Sequence, residues 1–213
     1  TNGLGVKYMA REDAKSIGII GTGWQAVTQL KAACSVRPIE FVRCYSTNPG
    51  NRVNFAQEMT DALGIEVMPT SSAEAVVEDV DIVMCSTNSI EAVFFEKWLR
   101  PGLHVSSIKM PEIEEAALFK SSRVGLHYGQ QRPDTVAAKG LEPPDRRAGK
   151  GWAALRTFDY DSCPKLPEMI MGEARGRESD DETTCFINDM GLGLQFAAAA
   201  GLAYRKAKEA GLG

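Results

Sequence analysis

Twelve residues, Ser16 to Val27, constrain this chain more than any other stretch: SIGIIGTGWQAV. A short apolar run, Ile17 to Ile20, meets Gly21-Thr22-Gly23, and a helix-compatible segment follows. An apolar run of that length, closed by glycine, reads as a buried strand turning into a helix. Gly21, Gly23 and Ala26 have the Gly-x-Gly-x-x-Ala spacing of a dinucleotide-binding turn. Gly21 permits the tight corner, Gly23 lets a pyrophosphate approach the backbone, and Ala26 lets the helix lie close to the sheet. The free N–H groups and positive dipole end of the helix then face the phosphates. Thr22, Trp24 and Gln25 complete the set of candidate cofactor contacts in this turn. Trp24 either shields the pyrophosphate or packs outward. The plain alternative is a tight strand–helix corner without a ligand.

The surrounding pattern favours the ligand. Short apolar runs at Ser16–Ile20, Glu40–Tyr45, Glu66–Met68, Asp81–Cys85, His104–Ser107 and Arg123–Leu126 read as strands. Helices are expected between them at Gln25–Ser35, Gly50–Leu63, Ser71–Val77, Phe94–Trp98 and Pro111–Phe119. Such alternation implies right-handed crossovers. The expected fold is α/β: a Rossmann-type, doubly wound, mostly parallel sheet with helices on both faces. After Leu126, GQQRPDTVAAKGLEPPDRRAGKGW reads as a long surface connection and GEARGRESDDETT as a second polar connector. TTCFIN then reads as one more strand, and the chain closes with an expected helix ended by Gly211. The acidic run Glu178 to Glu182 lacks the spacing of a metal site and reads as a solvated connector.

Composition narrows the function classes. Of 213 residues, 44% are hydrophobic and 24% charged, the balance of a soluble globular protein. A net charge of −4, without a basic cluster, argues against a nucleic-acid partner. The most apolar run, GLGLQFAAAAGLAY, is too short and too rich in Ala and Gly to span a membrane. The five cysteines include no C-x-x-C pair and only two histidines accompany them, so no metal site is expected. Scattered free thiols suit a cytoplasmic protein.

The end of the second strand bears on cofactor choice. An NAD site usually carries an acid about 20 residues beyond the glycine turn. Here CYSTNPGNR occupies that place, with Ser46, Thr47 and Asn48 as small neutral donors and Arg52 nearby. A 2′-phosphate is accepted by such a set and repelled by an acid, so NADP(H) is favoured over NAD(H). The alternative is a simple turn beside a solvated arginine. Two further strand ends belong to the same edge: CSTNS, with Ser86, Thr87 and Asn88, and SSIKMPE, with Ser107 and Lys109. Ligands of open parallel sheets collect at such ends. Ser86, Thr87, Asn88 and Ser107 are candidate cofactor contacts, and Lys109 is the candidate catalytic residue. His104 and His127 have no partner motif and read as structural.

KYMAREDAKSIGIIGTGWQA, DIVMCSTNS, PGLHVSSIKMPEIE and LPEMIMGEARGRESDDETTCFINDMGLGLQFAAA follow one another over nearly the whole chain. Together they resemble the ornithine cyclodeaminase/μ-crystallin family. The resemblance implies an NAD(P)-binding domain beside a separate substrate and dimerisation domain. It divides the chain into a connecting segment (1–12), the cofactor domain (13–190) and a closing helix (191–213) that returns to the other domain. The resemblance implies that this domain precedes Thr1; with Met9 as the first methionine, Thr1 is not expected to be the natural start of translation. The family's cyclodeaminases carry a catalytic Asp in a Gly-x-Asp-x-Pro-type loop, whereas this chain has Ile108-Lys109-Met110-Pro111. An amine does not inherit a carboxylate's role. The departure counts against ornithine cyclodeamination and for hydride transfer at a C–N bond of a small amino or imino acid, as in an imine or ketimine reductase. A homodimer is the expected assembly of the full-length protein. The alternatives are a cyclodeaminase-like ammonia-lyase, a non-catalytic NADP(H)-binding protein and an isolated cofactor domain.

Overall fold

A computed structural model describes residues 1–128, 157–188 and 193–212. The whole of the expected long connection GQQRPDTVAAKGLEPPDRRAGKGW and the first residues of the closing segment lie outside them.

Seven strands form one parallel sheet: β1 (Ser16–Ile20), β2 (Phe41–Tyr45), β3 (Glu66–Pro69), β4 (Ile82–Cys85), β5 (His104–Ser107), β6 (Arg123–Leu126) and β7 (Thr184–Ile187). Their order is β3-β2-β1-β4-β5-β7-β6. The chain runs outward in one direction through β1, β2 and β3, then returns to place β4 on the other side of β1. The gap between β1 and β4 is the switch point at which ligands of such sheets bind. β7, the strand expected from TTCFIN, inserts between β5 and β6 rather than extending an edge.

Helices α1 (Asn2–Met9), α2 (Trp24–Cys34), α3 (Pro49–Leu63), α4 (Ala73–Val77), α5 (Glu115–Lys120), α6 (Leu166–Met171) and α7 (Gly193–Glu209) accompany the sheet. Local chemistry sets several of their starts. The Asn48 side chain accepts from the Asn51 amide (3.1 Å) at α3, and Ser72 accepts from Ala75 (3.2 Å) at α4. Gly64, in the left-handed region at φ 69°, ends α3. Two expected helices shrink. Phe94 makes an isolated bridge with Ile113, leaving one 3₁₀ turn at Glu96–Trp98. Pro111 sits in a second 3₁₀ turn, Met110–Glu112, before α5 begins at Glu115. In both places the backbone bonds are taken by the pairing of Val93 and Phe94 with Glu112. α6 was not expected from the sequence; Lys165 N donates to the Glu168 side chain at its start (2.9 Å).

Two apolar clusters cover the two faces. One joins Ile17, Ile19, Ile82 and Met84 with Ala26, Leu30 and Met59; the other joins Ile20, Val83, Val105 and Cys185 with Val76, Phe94 and Leu118. β1 is buried at all five positions, as a central parallel strand must be. α1 lies on the sheet, in contact with α2, β5, β7 and α6. Gly5 is required there: a Cβ on it would stand 2.3 Å from the Phe186 ring. Two arginines hold its C-terminal end. Arg37 donates to the carbonyls of Lys7 (2.7 Å), Ala10 (2.9 Å) and Arg11 (2.6 Å), and Arg177 donates to that of Met9 (2.7 Å). These bonds satisfy carbonyls that a helix end leaves open. Arg177, in the second polar connector, also reaches Glu182 O (2.7 Å), so that connector is a built corner as well as a surface loop.

Candidate functional site

The site is assembled at the C-terminal edge of the sheet. Backbone bonds stitch that edge together: Gly21 N donates to Tyr45 O (2.8 Å), Ser86 N to Ile20 O (2.8 Å) and Ile108 N to Cys85 O (3.3 Å). The ends of β2, β1, β4 and β5 therefore adjoin, and with them the sequence-predicted groups Ser46–Arg52, Gly21–Ala26, Ser86–Asn88 and Ser107–Lys109.

The two glycines of the turn do different work. Gly21 has φ 101°, and a Cβ there would meet Ser86 O at 2.1 Å and the Thr87 methyl at 3.0 Å. The protein itself requires this glycine. Gly23 is extended, at φ −81° and ψ −179°, and a Cβ on it would meet nothing within 4 Å. No protein atom explains Gly23, whereas a closely approaching ligand does. Gly23 is also the N-cap of α2 and offers no side-chain acceptor; Ala26 N donates to Gly23 O (3.0 Å), and the amides of Trp24 and Gln25 are left open to an anion. Ala26 is fully buried and packs on the sheet. Trp24 faces outward, 89% exposed, so it does not pack on the described residues. At the neighbouring strand ends the hydroxyls of Ser86 and Ser107 are buried without a protein partner among the described residues. Open helix amides, a bare glycine and orphaned hydroxyls suit a dinucleotide.

At the β2 end, Arg52 Nη1 donates to Ser46 O (3.0 Å), and its guanidinium lies 5.5 Å from the Tyr45 ring centroid. Ser46 Oγ donates to Asn48 O (3.1 Å), and Asn48 is spent partly on capping α3. The turn thus holds Arg52 at the strand end, with no acid anywhere from Tyr45 to Val53. Thr47 and Asn48 are exposed there.

Lys109 is half-buried, and its ammonium donates to Ser89 O (3.2 Å), spanning from the loop after β5 to the loop after β4. Between these loops lies a residue that the motif reading passed over. Glu112 is completely buried. Its Oε1 accepts from Thr87 N (2.6 Å) and Thr87 Oγ1 (2.7 Å), and its Oε2 from Ile108 N (2.9 Å) and Lys109 N (3.1 Å). Burial pushes its carboxyl above the usual range, against the pull of those four bonds. The available signal was the x-x-Glu spacing after Lys109, the second half of a capping box, although its partner Thr87 lies 25 residues away.

Both histidines are buried. His104 is at the opposite end of β5, fully buried, with Nδ1 2.8 Å from Thr184 Oγ1. The Thr184 hydroxyl donates to Met9 O (2.8 Å), so Nδ1 carries the proton and the ring is neutral. Burial first, and then the charges of Arg177 and Arg37, lower its pKa from 6.5 to about 3. His127 is buried beyond β6, and its backbone N–H donates to Ile187 O (3.1 Å). Burial pushes the thiols of Cys44 and Cys185 up to about 12, far from a reactive range. Among the described residues no cluster of His, Cys, Asp or Glu is placed to hold a metal, and no helix is long and apolar enough to cross a membrane.

The chain is similar to known proteins over nearly its whole length. A Δ1-pyrroline-2-carboxylate reductase of Bacillus cereus is 31% identical, over 100% of this chain and 63% of its own length. The structure of Thermococcus litoralis Δ1-pyrroline-2-carboxylate reductase, in complex with NADH and L-proline, is 35% identical and superposes with a TM-score of 0.80, over 98% of this chain and 63% of that one. An archaeal alanine dehydrogenase dimer with bound NAD matches at 25% identity and a TM-score of 0.76, over 100% of this chain and 63% of that one. The chain thus spans less than two thirds of the length of these relatives. The fold is a Rossmann-like α/β domain. With the family model matching residues 1–211, this chain belongs to the ornithine cyclodeaminase/mu-crystallin family.

Proposed function

We propose that the protein is a nicotinamide-dependent imine reductase of small cyclic or acyclic imino acids, with Δ1-pyrroline-2-carboxylate as the first substrate to try. The observation that carries this reading is the open space at Gly23 beside the unbonded Trp24 and Gln25 amides, on the same edge as Lys109. Two of the relatives named above are Δ1-pyrroline-2-carboxylate reductases, which supports it. A nicotinamide held at this edge would supply the hydride for the imine carbon, and the nitrogen would take up one proton. This chain contributes the phosphate cradle at Gly21–Ala26, the loop walls at Ser86–Asn88 and Ser107, and the Lys109 ammonium. In our reading Lys109 leaves Ser89 O to meet the substrate, either pairing with its carboxylate or giving the proton to its nitrogen. Lys109→Ala in the full-length protein separates these roles. A raised KM marks the carboxylate contact, a lowered kcat marks the proton donor, and unchanged kinetics remove Lys109 from the mechanism.

We also propose NADP(H) as the preferred cofactor, with Arg52, Ser46, Thr47 and Asn48 receiving the 2′-phosphate. The missing acid at the β2 end and the tethered Arg52 support this. Arg52→Ala is expected to weaken NADPH binding about ten-fold and leave NADH binding nearly unchanged. Tighter binding of NADH than NADPH by the unaltered protein would end the idea. For α7 we propose contact with a part of the full-length protein outside these residues, and a homodimer as the assembly. Phe196 (68% exposed) and Tyr204 (70% exposed) are large apolar groups on a helix that otherwise faces solvent.

A further inference from the structure

We infer that Glu112 is the positioning residue of the cofactor cleft, its ionised carboxylate tying the loop after β4 to the loop after β5. The inference rests on the cofactor reading of this edge.

Four donors converge on one carboxylate: the amide and hydroxyl of Thr87 on Oε1, and the amides of Ile108 and Lys109 on Oε2. The Glu112 backbone carbonyl adds two more bonds, from Val93 N (2.8 Å) and Phe94 N (3.0 Å). The chain from Thr87 to Phe94 is therefore fastened to Glu112 at both ends. Thr87 passes this constraint to the glycine turn. Its hydroxyl is on Glu112, while its methyl would be 3.0 Å from a Cβ on Gly21. On the other side, Lys109 is held through its amide by Glu112 and through its ammonium by Ser89 O. One buried group thus sets the spacing between the phosphate turn and the candidate catalytic lysine.

Its chemistry is specific to the ionised form. The three amides can only donate, and Thr87 Oγ1 already accepts from Ser89 N (3.1 Å), so its proton is directed at Glu112. A carboxylate offers two oxygens to these four donors, whereas a carboxamide offers one oxygen and sets an NH₂ against N–H groups. Among the described residues no cation forms an ion pair with Glu112. A buried carboxylate without an ion pair, raised by its burial, is a poor device for stability alone. Its place beside a ligand cleft supplies a better reason for it.

The test is the affinity of the full-length protein for NADPH and NADH, by cofactor fluorescence, with thermal unfolding recorded for each variant. Glu112→Gln is expected to bind about ten-fold more weakly. Leu118→Ala, a buried change in α5 away from the cleft, serves as the stability control and is expected to lower the melting temperature with unchanged affinity. Thr87→Val, alone and combined with Glu112→Gln, gives a double-mutant cycle in which the two losses are non-additive. If the unaltered protein binds neither nucleotide, the cofactor reading fails and takes this inference with it. If it binds, and Glu112→Gln binds equally well or loses affinity only as far as a stability-matched control does, the inference alone is overturned.

Discussion

His104 shows how a buried residue acquires a fixed protonation state. Its Nδ1–H is committed to Thr184, and its other nitrogen has no partner among the described residues. Because its folded pKa is lowered, the unfolded chain binds a proton between pH 6.5 and about 3 that the folded chain refuses. Stability is therefore full above the unfolded value and is lost as pH falls, by about 1.4 kcal/mol per pH unit from this group. His104→Asn keeps a donor for Thr184 and removes the titration. Its unfolding free energy, measured by urea between pH 7 and 4, should fall less steeply than that of the unaltered protein. Equal slopes would show that His104 does not titrate in this way. At the same scale, Gly21→Ala meets Ser86 O at 2.1 Å in a left-handed backbone and should cost about 2–4 kcal/mol.

Among the elements, α1 tests packing against propensity. Replacing Gly5 with Ala raises helix propensity by about 1 kcal/mol. The new methyl would stand 2.3 Å from the Phe186 ring, and overpacking of that kind costs about 1–3 kcal/mol. We expect Gly5→Ala to lower the melting temperature; an increase would mean that α1 shifts freely on the sheet. The same element shows which parts of the structure could be read in advance. β1, the glycine turn and α2 are encoded by neighbours in sequence, so Gly21, Gly23 and Ala26 announced them. The Asn48 and Ser72 caps are equally local. The role of Glu112 depends on Thr87, and that of Arg177 on Met9 O, 168 residues away, so no window of sequence contains either bond. The Phe94–Trp98 stretch has helical composition, but its backbone pairs with Glu112 and Ile113 and is shortened to one 3₁₀ turn. β7 pairs with both β5 and β6, a position that the order of segments does not state.

For the whole molecule, an interior switch-point cleft contrasts with a nearly bare closing helix. Hydrogen exchange on the full-length protein should show α7 amides protected beyond what an exposed helix of this length sustains. The same amides in the 213-residue chain alone should exchange quickly. Equal exchange in both would rule out docking of α7. The cleft carries the central claim, that this edge of the sheet binds a nicotinamide dinucleotide. Gly23→Ala tests it most directly, because the added methyl meets no protein atom within 4 Å and the backbone angles there suit alanine. The measurement is the affinity of unaltered and Gly23→Ala protein for NADPH and NADH, alongside unfolding free energy. The account predicts stability unchanged within about 0.5 kcal/mol and affinity reduced at least about ten-fold. Equal binding by the two proteins, or no binding by the unaltered one, would contradict it.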